Sequence, residues 1–490
     1  MEGTRVQILN DMKSLLNIRG GAHIVWVAGM AGTGKTSIAL TLCRMLANEP
    51  DILLGGTFFC SRAAGAVERT EAERIIPTFA TLMARSVLDY AEALAEELKD
   101  DPDLAHKAIA LQLEHLLVKP LESVALLDRQ IVFVVDALDE CSNEERLVEL
   151  INALANFACS APVKFLFTSR SEMHIRETAI ADKSLSSIVH LHTIDPTLVT
   201  ADIRLYIQRT FDKVTKTATW YTQDDIDELA VSSGGLFIFA STAIAYILEH
   251  KSVPGRVKRL QTVKTQISDS TIATAPLDKM YSLVLMQASD PTAFEPAELD
   301  EMRRIIAVIL CTRAPLTLNC LAEILGLTPE DLRGALERLH TVIFVPEEDD
   351  WGELRTLHAS FGDFMFTRAP EHIRVCKGFG HDELARGCLE RMSADDLCFN
   401  ISRGSTSYTA NPGINLGEIA SSLVYACLHW AYHVDLASVR SSFDEKIYSF
   451  LQHKLLFWLE LLNATWDVRR ASSLLHITAS AVCSYPVLPR

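Results

Sequence analysis

The spacing of hydrophobic residues changes character near residue 196. Before that point short, mostly apolar runs are bounded by turn residues: Ile24–Ala28, Gly55–Cys60, Ile131–Val135, Val163–Phe167 and Ile188–Leu191. Ile131–Val135 is wholly apolar, the pattern of a strand covered on both faces in the middle of a parallel sheet, and the other four predict its neighbours. Between the runs the period is helical. Residues 5 to 17 place Val6, Leu9, Met12 and Leu16 on one face. Residues 73 to 98 and 104 to 118 read as two helices separated by Asp100-Asp101-Pro102-Asp103, the second ending at Pro120 with Ile109, Leu113, Leu116 and Leu117 in one stripe. Strands alternating with helices predict an α/β fold with a three-layer parallel sheet.

Beyond residue 196 the strands largely stop. Helices are expected over 198–210, 223–250, 277–288, 298–311, 316–325, 329–339, 381–393 and 416–463, with a break at Val253-Pro254-Gly255-Arg256 and a fraying tail from Ser472. Two short runs, Val342–Val345 and Leu354–Leu357, predict a hairpin after several helices, the pattern of a winged-helix module. The chain therefore divides into a helical lead-in (1–20), a sheet domain (21–196), a helical domain (197–295), a winged-helix domain (296–375) and a further helical domain (376–490). Leu229–Leu248 is uncharged and long enough to touch the membrane-span threshold. It opens with Ser232-Ser233-Gly234-Gly235, however, which leaves a packed helix as the expectation.

The candidate chemistry sits at the ends of the apolar runs. Gly29-Met30-Ala31-Gly32-Thr33-Gly34-Lys35-Thr36 follows the first run and precedes Ser37 and an apolar helix, which is the complete Walker A pattern in its required context. Its glycines let backbone N–H groups of residues such as Ala31, Thr33 and Ser37 converge on phosphates. Lys35 is placed to reach the β- and γ-phosphates and Thr36 to hold Mg²⁺. The third run ends in Asp136-Ala137-Leu138-Asp139-Glu140, with Asp136 expected to hold Mg²⁺ directly or through water, and either Asp139 or Glu140 as base for a hydrolytic water. Arg170, closing Thr168-Ser169-Arg170, either senses the γ-phosphate or faces solvent. Arg62 likewise faces either a phosphate or solvent.

Composition narrows the partners. The 490 residues carry a formal net charge of -17, which argues against a general nucleic-acid or anionic-membrane surface. Four acidic residues, Glu347 to Asp350, in the expected wing turn argue the same against DNA. The 11 cysteines show neither CxxC spacing nor the density of a disulfide scaffold, so a reducing, cytoplasmic setting is expected. His429, His433 and His453 share no metal-ligand spacing and default to core or solvent.

The ordered set formed by Gly29–Thr36, the Asp136–Glu140 turn, Thr168-Ser169-Arg170, Leu191–Pro196, Gly234–Thr242, Leu357–Phe364 and Tyr425–Trp430 resembles NACHT-domain proteins, and more narrowly the fungal NOD-like receptor NTPases. The resemblance implies a P-loop NTPase acting as a signalling switch in innate immunity or non-self recognition. Such a switch is closed with ADP, opened by exchange for ATP and then assembled into homo-oligomers, with slow Mg²⁺-dependent ATP hydrolysis. It implies that His358 touches the ADP β-phosphate in the closed state. Family members carry a Gly-x-Pro element whose proline packs on adenine, where this chain has Gly235-Leu236-Phe237, so Phe237 is the expected apolar contact to the base. It further implies effector and sensor modules on either side; this chain begins almost at the NTPase, so a short form or reliance on partner proteins is expected. The rival readings are a nucleotide-binding scaffold without significant hydrolysis and a winged-helix DNA-binding regulator.

Overall fold

In the first of two units, which runs to Met280, five parallel strands form one sheet in the order β2-β3-β4-β1-β5. They are β1 (Ile24–Ala28), β2 (Ile52–Phe59), β3 (Gln130–Asp136), β4 (Val163–Ser169) and β5 (Ser186–His190). The computed structural model describes residues 3–18, 21–62, 67–124, 129–178, 180, 184–214, 220–268, 276–289, 295–349, 352–401, 419–465 and 467–482. Every residue of β1, β3 and β4 is buried. Alternation along the strands divides them between two layers, as the pleat requires. Val25, Val27, Val132, Val134 and Leu166 pack with α1 (Val6–Asn17) and α2 (Lys35–Leu46). Ile24, Trp26, Phe133, Phe165 and Phe167 pack on the other face with α3 (Ile75–Ser86), α4 (Leu88–Asp100), α5 (Ile109–Gln112), α6 (Lys119–Ser123) and α7 (Glu144–Ser160). Phe79, Phe133, Phe165 and Phe167 stack in sequence with ring centroids 4.6, 5.6 and 5.6 Å apart. Burying each such ring is worth roughly 1.5–3 kcal/mol, so this face carries much of the unit's stability.

Three local expectations are corrected in the first unit. The helix expected over 73–98 is two, because Val87 is extended at φ −134° and ψ 110°. The helix expected to stop at Pro120 runs on to Ser123. Residues 113–118 widen into a π-helix, with Lys119 N donating to Glu114 O, and Leu116 O, the carbonyl four residues before Pro120, accepts instead from Tyr90 OH. The segment Val253–Arg256 opens a helix instead of breaking one. After α8 (Met173–Arg176), α9 (Pro196–Val214), α10 (Gln223–Ser232) and α11 (Phe237–Glu249), α12 (Val253–Ser268) carries Pro254 in its first turn, where a missing N–H costs nothing. Gly234 and Gly235, at φ 55° and 80°, make the turn between α10 and α11 that Ser232–Gly235 signals. Among the described residues no helix is long and apolar enough to cross a membrane.

The second unit starts at Tyr281, within α13 (Pro276–Ala288). It continues with α14 (Pro296–Cys311), α15 (Leu318–Leu325) and α16 (Pro329–Leu336), then an antiparallel hairpin of β6 (Ile343–Phe344) and β7 (Arg355–Thr356). Leu316 adds a single bridge to Leu354 beside the hairpin. Next come α17 (Ala359–Thr367), α18 (Lys377–Ser393), α19 (Ser421–Leu436), α20 (Asp444–His453) and α21 (Leu455–Ala464). The expected start of the 416–463 helix lies partly outside the described residues. The tail does not fray at Ser472: α22 (Arg470–Val482) is helical because Ala471, Leu474 and Thr478 form a buried stripe at helical spacing.

Candidate functional site

The strand order fixes where a ligand can be met. From β1 the chain crosses to β2 at one edge of the sheet, whereas from β4 it passes β1 to reach β5 at the other. Connections that leave in opposite directions open a crevice at the C-terminal ends of the strands. Gly29–Thr36, Asp136–Glu140 and Arg170 all follow such ends, on β1, β3 and β4.

Within the glycine-rich loop Gly32 and Gly34 hold φ of 78° and 92°, a region that side chains disfavour. A Cβ on Gly32 would also meet Ile238 Cγ2 at 2.1 Å, so the loop is moulded against the start of α11, whose Ile238 N donates to Gly32 O at 3.2 Å. Ala31 and Thr33 lie in this turn, with Thr33 Oγ1 donating to Met30 O at 2.8 Å. Lys35, Thr36 and Ser37 begin α2. Lys35 Nζ curls back to donate to Gly29 O at 2.8 Å and Met30 O at 2.9 Å. Burial pulls the Lys35 ammonium below its usual pKa; Asp139 pushes it up, Arg170 down, and Asp136 and Glu140 up. These groups therefore share one electrostatic site.

Three consecutive residues at the end of β4 bind three different neighbours. Thr168 Oγ1 donates to Asp136 Oδ1 and accepts from Ala137 N at 2.9 Å. Ser169 O accepts from Gly29 N at 3.1 Å, and Ser169 Oγ accepts from Trp26 Nε1 at 2.8 Å. Arg170 N donates to Asp139 Oδ1 at 2.8 Å while Arg170 Nε lies 3.2 Å from Asp139 Oδ2. The strand between the loop and the acidic turn thus fastens both.

The carboxylates differ in environment. Asp136 is 2 % exposed. Burial raises its pKa, against hydrogen bonds from Thr168 and Thr36 and the charge of Lys35. Asp139 has both oxygens engaged by Arg170. Glu140 Oε2 accepts from Arg62 N at 2.7 Å, and burial raises its proton affinity, opposed by that hydrogen bond. The Arg62 side chain donates to Cys141 O at 2.9 Å, a structural contact.

Phe237 opens α11, near enough to the loop that a Cβ on Gly34 would meet its ring at 3.9 Å. His358 belongs to the second unit, at the N-cap of α17, where its Nδ1 accepts from Ser360 N at 3.1 Å. The sequence did not single out Thr168, Ser169, Ile238 or Arg5, which all touch the loop or its acidic turn. Two hydroxyl residues closing a mostly apolar strand were the available sign for the first pair, and Ile238 falls within the Gly234–Thr242 motif; no pattern marks Arg5.

A phosphate chain suits the loop, because Gly32 and Gly34 at positive φ lead straight into the N-terminus of α2 at Lys35, the backbone arrangement that turns N–H groups toward an anion. A divalent cation suits the Thr36 hydroxyl and the Asp136 carboxylate, two hard oxygen donors, the first in the opening turn of α2 and the second at the end of β3. The family model "Nephrocystin 3, N-terminal" matches residues 3–170, less than half of the 490. No curated protein sequence matches. Among solved structures the chain is similar to one titled Drosophila ORC bound to DNA, at 14% identity and TM-score 0.33, over 72% of this chain and 93% of that one. It is similar to Cdc6p from Pyrobaculum aerophilum at 13% identity and TM-score 0.33, over 78% and 94%. These likenesses are too loose to transfer a ligand or partner. The parallel sheet and the loop–helix junction at Gly29–Ser37 make the first unit a P-loop NTPase fold.

Proposed function

We propose that this protein is a nucleotide-operated switch that binds ADP and ATP with Mg²⁺ at the Gly29–Ser37 loop and hydrolyses ATP slowly. The observation that carries the reading is the end of β4, where Ser169 O accepts from Gly29 N and Thr168 Oγ1 donates to Asp136 Oδ1, fastening the loop to the acidic turn. Gly29, Ala31, Gly32, Thr33, Gly34 and Ser37 supply the backbone cradle. Lys35 leaves its two carbonyl partners for the β- and γ-phosphates, a move favoured because anionic oxygens are stronger acceptors than carbonyls. Thr36 and Asp136 hold the Mg²⁺, which when bound neutralises phosphate charge.

Of the two candidate bases Glu140 suits the role, since its raised proton affinity brings it nearer to working pH while Asp139 is committed to Arg170. Water oxygen forms a bond to the γ-phosphorus, the bond to the bridging oxygen of ADP breaks, and the water proton passes to Glu140. Arg170, tethered by Asp139, is the γ-phosphate contact. Phe237 gives apolar contact to the base. The likeness to NOD-like receptor NTPases supports an immune or non-self-recognition output, with homo-oligomerisation, effector or sensor protein partners, a cytoplasmic setting, a winged helix at 296–375, and His358 as a closed-state contact to the β-phosphate. A scaffold that binds nucleotide without turning it over is the second reading, supported by the ion pair that already occupies Asp139 and Arg170.

Calorimetric titration of Lys35→Ala and Asp136→Ala tests the site. Lys35→Ala is expected to weaken ADP and ATP by at least roughly tenfold, the worth of one charge-assisted contact in a dry site. Asp136→Ala is expected to retain binding but lose Mg²⁺-dependent turnover. Unchanged affinity of Lys35→Ala for both nucleotides would overturn the assignment.

A further inference from the structure

Among the described residues of the first unit, Arg5 is a buried guanidinium whose carboxylate neighbour, Asp202, lies at the limit of ion-pair distance. Its side chain is 8% exposed, and its backbone adopts φ 57° at the N-cap of α1, an unfavourable conformation for a residue with a Cβ. One nitrogen, Nη2, donates to Thr33 O of the phosphate loop at 3.3 Å. Arg5 Nε lies 4.0 Å from Asp202 Oδ2, beyond hydrogen-bonding distance, and Asp202 Oδ2 instead accepts from Arg5 N at 3.1 Å. Both Nε and Nη1 are buried with no hydrogen-bond partner. The guanidinium carbon stands 5.3 Å from the centroid of the Phe237 ring, and the Tyr206 ring centroid lies 6.1 Å from that of Phe237. A buried guanidinium with unused donors is costly, and such a cost persists where a ligand offsets it.

From this arrangement we infer that Arg5 is a specificity residue that donates hydrogen bonds to the nucleoside part of a bound nucleotide, beside Phe237. The inference rests on the nucleotide-loop reading and names the half of the ligand which that reading leaves without a polar contact. The loop's N–H groups and Lys35 already serve the phosphates. The charges acting on Lys35 are Asp139, Arg170, Asp136 and Glu140, whereas the charge acting on Arg5 is Asp202, so Arg5 stands apart from the phosphate-facing cluster. What surrounds Arg5 is the Phe237 ring, which Tyr206 in turn adjoins, the Thr33 backbone carbonyl and, at 4.0 Å, the Asp202 carboxylate. That is the chemistry of a base or ribose pocket: apolar faces for stacking and a few donors for lone pairs.

The test compares ligands with and without a nucleoside on the full chain. Calorimetry of wild type, Arg5→Met, Arg5→Lys and Lys35→Ala is run with Mg²⁺ and either ADP or inorganic pyrophosphate. Arg5→Met is expected to lose at least about tenfold in affinity for ADP while binding pyrophosphate as wild type does. Arg5→Lys is expected to fall between the two, because it keeps a donor but not the planar fork. Equal loss for ADP and pyrophosphate, or no loss for either, overturns the inference. Failure of wild type to bind either ligand overturns the loop reading itself, and Lys35→Ala separates the two cases by weakening both ligands. Thermal unfolding without ligand guards against a misfolded variant. If the guanidinium is held in reserve for a ligand, Arg5→Met melts at or above the wild-type temperature. A fall in melting temperature together with equal loss of both ligands identifies Arg5 as a structural brace and overturns the inference.

Discussion

Among single residues, Glu140 is the one whose neighbours distinguish its task from that of an otherwise equivalent carboxylate. Asp139 and Glu140 are adjacent acidic residues, and the sequence leaves either as the base. Their partners separate them, since Arg170 takes both Asp139 oxygens and Arg62 N takes one oxygen of Glu140. Glu140→Gln should therefore lower ATP turnover by roughly 10²–10⁴-fold while leaving ATP affinity near wild type. Single-turnover assays with labelled ATP, beside equilibrium titration, check both halves; turnover equal to wild type would remove Glu140 from the chemistry. The residues of the Walker A pattern were legible because each type is required by a backbone conformation or a charge. Thr168 and Ser169 were harder to read, because a hydroxyl at a strand end gains its meaning only from what the neighbouring strands bring to it.

Whole elements show where local pattern suffices and where packing decides. The five apolar runs before residue 196 fall in strands, although only β1, β3 and β4 are buried throughout, and β2 begins at Ile52, before the run expected from Gly55. Pro120 and Pro254 were read as stops and are not. Proline is excluded from a helix only where its N–H is needed, and Tyr90 OH on Leu116 O for one and a first-turn position for the other remove the need. Helix α19 presses a buried chemistry against α18: His433 Nδ1 lies 2.9 Å from His381 Nδ1, and His433 Nε2 lies 2.9 Å from Tyr425 OH. Burial pulls His381 down to about 4, with Arg313 and Lys377 adding to the effect against Asp382, and pulls His429 down to about 3, with Arg313 and Arg470 adding. His433 is lowered well below its ordinary value by burial and by His381, His429 and Arg313. Because these folded values lie below the unfolded value near 6.5, the stability they bring is fully present above it and is lost as pH falls toward the folded values. His381 alone accounts for on the order of 3 kcal/mol between pH 6.5 and 4. Asp136 and Glu140, whose values are raised, work in the opposite sense: their contribution is present below about pH 4 and is lost as pH rises through the folded values. Hydrogen exchange from pH 7 to pH 4, corrected for intrinsic rates, should show α18 and α19 losing protection before β1, β3 and β4. Unchanged protection of α19 would refute the buried-neutral account.

For the molecule as a whole, the proposed switch requires that the nucleotide's third phosphate change an assembly state. A contact from His358 present only with ADP would bias the closed form, and a ligand shifts a population only through such a difference. Mass photometry of fully exchanged protein should then show monomer with ADP and larger species with a non-hydrolysable ATP analogue and Mg²⁺. His358→Leu should move the ADP sample toward the larger species. Identical mass distributions in both nucleotides, across micromolar concentrations, would leave scaffolding as the better account. The sheet domain was readable at this scale because its strands and its motif report on each other. The helical remainder was less so: α17 and α22 are set by tertiary burial of Phe361, Phe364, Ala471 and Leu474, which no run of the sequence announces.

The hydrogen bond from Trp26 to Ser169 has an optical consequence. Trp26 is 1% exposed, lies one strand away from the residues that hold Asp136 and Asp139, and meets the His190 ring edge-on at 6.4 Å. An indole in so fixed a setting emits according to the polarity and quenchers around it, and its partner is the residue whose carbonyl also receives Gly29 N. Any ligand that shifts the end of β4 will change the environment of that indole. Occupancy of the loop can thus be followed as the part of the intrinsic fluorescence change that Trp26→Phe removes, since the other five of the six tryptophans remain in that variant, and without a dye attached to either nucleotide or protein.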